Sequence, residues 1–153
     1  MENKSQEIVS LLKTKNRCLD RLMESTRSFL HAPLESLVVD RGGSDTPLAI
    51  YESERATIIQ TLEFHDRRIN TLIGEMAAAD KTPSFMEEVK EELLQNEKLI
   101  IAVFNADDIV FARIREAQAQ ITKLITENRK SKDILSKFKS GQSATGDGMD
   151  KTL

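Results

Sequence analysis

The chain has 153 residues, no Trp, 5% aromatic and 31% charged residues, a length that suits one domain and a composition that suits long helices rather than sheets. Its net charge of −3 lacks the basic footprint that general nucleic-acid binding requires. No apolar run approaches the ~18 residues of a membrane span, so neither nucleic acid nor membrane insertion is expected.

Cys18 is the lone cysteine, which rules out an internal disulfide or a cysteine-based metal site. Residues 1–7, Met-Glu-Asn-Lys-Ser-Gln-Glu, carry no apolar core of a signal peptide, and a cytoplasmic protein is expected.

The first predicted helix covers Ser5 to His31. Ile8, Leu12, Lys15, Leu19, Leu22, Thr26 and Phe29 follow 4-3 spacing, which keeps one seam toward a neighbour. Leu11, Cys18 and Met23 widen that seam into a face suited to a bundle. Pro33 stops the helix, and Leu34, Leu37, Val38 and Val39 form a packable connector before the turn-like Arg41-Gly42-Gly43-Ser44-Asp45.

Thr46-Pro47 opens the second helix as N-cap and first-turn proline. Its seam is Leu48, Tyr51, Arg55, Ile58, Leu62, His65, Ile69, Leu72 and Met76, and it is expected to end near Ala79. The short link Asp80-Lys81-Thr82-Pro83 makes the flanking helices antiparallel neighbours.

The third helix is predicted over Ser84 to Lys139, opened by a Ser84–Glu87 capping box. Its seam runs Met86, Val89, Leu93, Asn96, Ile100, Val103, Asp107, Val110 and onward to Leu135 and Phe138, without Pro or Gly. Such a helix is about 80 Å long. Residues 140–153 are small, polar and Gly-rich, and a disordered tail is expected.

The reading is therefore all-α: an elongated antiparallel hairpin or a three-helix bundle, with coiled-coil packing and one very long C-terminal helix. The second helix matches only Ser84 to about Arg113. The remaining stripe, Ile114, Ile121, Leu124, Ile125, Ile134, Leu135 and Phe138, needs cover, because each large apolar side chain left in water forfeits about 1.5–3 kcal/mol. The first helix, a second copy or a client helix are the three candidates.

Catalytic chemistry finds no foothold. His31 sits at a helix C-terminus, where a cation is favoured, and His65 lies on the second seam. Neither has Glu three residues before it, as a di-iron bundle requires. No phosphate loop is present. No enzyme, metal or cofactor is expected. Asp107, a carboxylate on an apolar seam, is expected to pair with Arg55 as a register-setting contact.

The segments LAIYESERATIIQTLEFHDRRINTLI and IREAQAQITKLITENRKSKDILSKFKSG together resemble flagellar type III export chaperones of the FliT and FlgN kind. Those small cytosolic helical proteins hold filament-cap or hook-associated subunits before export. The Trp and the paired Asn residues common in them are missing here. The resemblance implies a helical export client, contact with export machinery, and client binding by Ile114, Ile121, Leu124, Ile125, Leu135 and Phe138. The alternative is a structural coiled-coil scaffold or adaptor acting as a homodimer.

Overall fold

A computed structural model describes residues 3–38 and 46–152, with the side chains of Val38 and of residues 141–152 left aside. It contains α1 (Lys4–His31), α2 (Leu34–Val38), α3 (Pro47–Glu75), a single 3-10 turn (Ala78–Asp80) and α4 (Pro83–Thr152). There is no strand among the described residues. The fold is all-α. The expected turn at residues 41–45 lies outside the described residues.

Each helix boundary has a local cause. The Asn3 side chain accepts a hydrogen bond from the Ser5 amide and starts α1. At the other end Ala32 turns extended, as a residue preceding proline prefers. Thr46 accepts from the Ala49 amide at 3.2 Å, with Pro47 opening α3. Two expected boundaries move. α3 stops at Glu75, not near Ala79, because Met76 becomes extended while its side chain stays in the core beside Leu72 and Phe85. The helix opener of α4 is Thr82, whose hydroxyl accepts from the Phe85 amide at 3.2 Å, so the Ser84–Glu87 capping box is not the cap. Gly74 is not required by packing, since a Cβ there would meet nothing within 4 Å.

The chain divides into two compact units, one through Ile114 and the other from Arg115. In the first, α1, α3 and the start of α4 form a three-helix bundle built in three apolar layers. Ile8, Val9 and Leu12 of α1 meet Ile69 and Leu72 of α3 and Phe85 of α4. Cys18, Leu19 and Leu22 meet Ile58 and Val103. Phe29 meets Tyr51 and Val110, the two rings stacked at 4.8 Å, with Leu37 of α2 against them. The order of layers sets the topology: α1 runs antiparallel to α3 and parallel to α4. The folded-back bundle, not the hairpin with α1 extending the far half, is the arrangement adopted.

Polar groups stitch the layers together. Asn16, buried on α1, donates to the Glu92 backbone carbonyl at 3.1 Å and to its carboxylate at 2.9 Å, and accepts from Asn96 at 3.1 Å. The Ser25 hydroxyl donates to Glu54, and Lys15 pairs with Asp66. Arg113 donates to the Ala32 carbonyl at 3.0 Å, covering a carbonyl at the C-terminus of α1 that the helix leaves without an internal donor.

The second unit is the helical stretch of α4 from Arg115. The helix is continuous to Thr152. No proline follows Pro83 to break the backbone ladder. The glycines at 141, 146 and 148 cost about 1 kcal/mol each relative to alanine without sterically forbidding helix.

Candidate helix-binding surfaces

α4 is turned in the bundle relative to its expected seam. Val89, Asn96, Val103 and Val110 face inward as expected. The other edge of the buried stripe, however, is Phe85, Glu92, Leu99 and Ala106, each one residue before its expected counterpart. A helix touching two neighbours needs a broader buried face than a two-stranded seam. Here Phe85 and Leu99 enter the core, and the Asn16–Glu92 hydrogen bonds hold that rotation. The consequence is that Met86, Leu93 and Ile100, expected inside, are exposed at 52%, 50% and 38%.

These residues continue into a stripe with Leu94, Ile101 and Phe104, all half or more exposed. The seam pattern did not identify this surface. The signal was present in the off-seam apolar residues Leu94, Ile101 and Phe104, whose 7-3 spacing places them along one side of the helix. Toward α3, the stripe borders a groove of about 340 Å³ whose walls include Ile69, Ile73, Met86, Val89 and Leu93.

Arg55 and Asp107 do meet. The guanidinium donates two hydrogen bonds to the carboxylate, at 2.9 and 3.0 Å, and a further one to the Tyr51 hydroxyl at 3.3 Å. Both side chains are mostly covered. Burial alone would lower the Arg55 pKa, but the hydrogen bond to Asp107, followed by the fields of Tyr51 and Asp107, raises it above its usual value. The fork geometry fixes the heights of α3 and α4 as a bidentate pair does.

The expected partner-binding residues divide between the units. Ile114 does not belong to an open surface: it packs, half-buried, against the Phe29–Tyr51–Val110 layer. Ile121 is half-buried. Leu124, Ile125, Leu135 and Phe138 are exposed at 50–62%, and Ile134, which the seam omits, at 66%. Around them stand Lys123, Arg129, Lys130, Lys132, Lys137 and Lys139, all exposed.

His31 is exposed at the end of α1, and His65 is half-buried with its Nδ1 lacking a hydrogen-bond partner. Among the described residues no group of His, Cys, Asp or Glu has metal-binding geometry, and no helix is long and apolar enough to cross a membrane. Comparison with protein-family models, curated proteins and solved structures finds no match to this chain.

Proposed function

We propose that this protein is a secretion chaperone of the flagellar type III export kind, which acts in the cytoplasm and shields an amphipathic helix of an export client before handing it to the export machinery. The observation that carries this reading is the exposure of Leu124, Ile125, Ile134, Leu135 and Phe138 on α4. Large apolar side chains at helical spacing, ringed by charge, suit an incoming helix laid along them. The task requires no covalent chemistry, in keeping with the sequence.

The test is coexpression with the terminal helical segments of exported hook-associated and filament-cap subunits, followed by size-exclusion chromatography and calorimetry. One of these segments is expected to form a stable complex. The pair Leu124→Asp and Leu135→Asp should abolish it while circular dichroism of the isolated chain stays within a few per cent of the parent. Loss of helicity in that variant, or no complex with any such segment, would end the chaperone reading.

A further inference from the structure

α4 is divided in charge as well as in packing. From Ser84 to Asp108 it carries seven carboxylates against two lysines, whereas from Ile121 to Lys139 it carries six cations against two carboxylates. Glu92 and Asp107 are engaged inside the bundle. Glu87, Glu97 and Asp108 are exposed beside the apolar stripe of Met86, Leu93, Ile101 and Phe104, with the cation Lys90 on the same side. The basic segment carries its own exposed stripe of Leu124, Ile125, Leu135 and Phe138. Met86–Phe104 and Ile121–Lys139 each extend about 28 Å as helix.

We propose that the occupant of the acidic stripe is a second copy of this chain, whose basic segment Ile121–Lys139 lies along Met86–Phe104 and adds a fourth helix to the bundle. Apolar side chains meet at the centre, and Glu87, Glu97 and Asp108 face the lysines of the basic segment at the rim. Parallel, in-register pairing of two copies would set carboxylates against carboxylates and lysines against lysines, which costs several kcal/mol at an interface. The charge division therefore selects head-to-tail contact and rejects the parallel coil. Exchanged between two copies, the contact gives a pair. This inference requires no client, but it uses the same stripe of Leu124, Ile125, Leu135 and Phe138 that carries the chaperone reading, so a second copy and a client helix would compete for it.

Charge reversal on exposed positions tests it with the full-length chain. One variant carries Glu87→Lys, Glu97→Lys and Asp108→Lys; the other carries Lys123→Glu, Lys132→Glu and Lys139→Glu. Sedimentation equilibrium of the parent should give twice the chain mass, with the association weakening as salt rises. Each variant alone should associate at least about tenfold more weakly. Mixing the two should restore a heterodimer, which also shows that both are folded. A parent that is monomeric at every concentration, variants that dimerise as the parent does, or a mixture that stays monomeric would each overturn the proposal. The acidic-stripe variant leaves Leu124 and Leu135 intact, so it separates loss of self-association from loss of client binding.

Discussion

In α4, Val103 and Val110 lie buried against side chains of α1 and α3, whereas Leu124 and Phe138, at the same position of the seven-residue repeat, are more than half exposed. The chemistry of the four positions is alike. What differs is the supply of neighbours. α1 ends at His31 and α3 begins at Pro47, and both Phe29 and Tyr51 belong to the layer of Val110. A periodic apolar stripe thus states that a helix can be covered; it does not say by what. The same lesson holds within the bundle, where α4 presents two apolar edges and buries one.

The contrast has measurable consequences. Leu72 is 1% exposed in the first layer, and Leu72→Ala should cost about 2–5 kcal/mol in denaturant unfolding, the sum of lost transfer energy and a residual cavity. A smaller loss would mean that the layer is loosely packed. Asp107→Ala comes next. It leaves the Arg55 guanidinium without its carboxylate in a mostly covered site, and should cost about 1–3 kcal/mol. The double replacement Arg55→Leu with Asp107→Leu should be less damaging than the single, so a double-mutant cycle reads the coupling directly. If the single substitution proves neutral, the pair does not set the register. The smallest effect is expected at Leu135→Ala, within about 0.5 kcal/mol of the parent, as for surface positions generally. A cost of several kcal/mol there, measured below the concentration at which copies associate, would show that this side chain is already covered within one chain.

Much of the bundle was legible from residue spacing. The seams of α1 and α3 were marked by Ile8, Leu12, Leu19, Leu22, Phe29, Tyr51, Ile58, Ile69 and Leu72, all buried in the structure, because a single broad stripe leaves a helix one way to face its neighbours. Thr46-Pro47 and Pro33 marked ends through chemistry that acts within one turn. Two features were not legible. Asn16 was hidden beside Lys15, since its burial depends on Glu92 and Asn96 arriving from α4. The exposed stripe of Met86, Leu93 and Ile100 was hidden because they share the spacing of the core residues.

The sequence by itself determined that this protein is helical, where α1 begins and ends, how α3 begins, which faces of α1 and α3 are apolar, and which carboxylate answers Arg55. These follow from local sterics, capping and the 3.6-residue period, which act over a few residues. Tertiary structure alone decided that α1 folds back beside α4, that α4 is turned toward Phe85 and Leu99, and that Ile114 is packed while Leu124 to Phe138 remain open. Those outcomes depend on competition between helices for the same apolar surface, and the winner is set by contacts such as Asn16–Glu92 that bring together residues far apart in the chain.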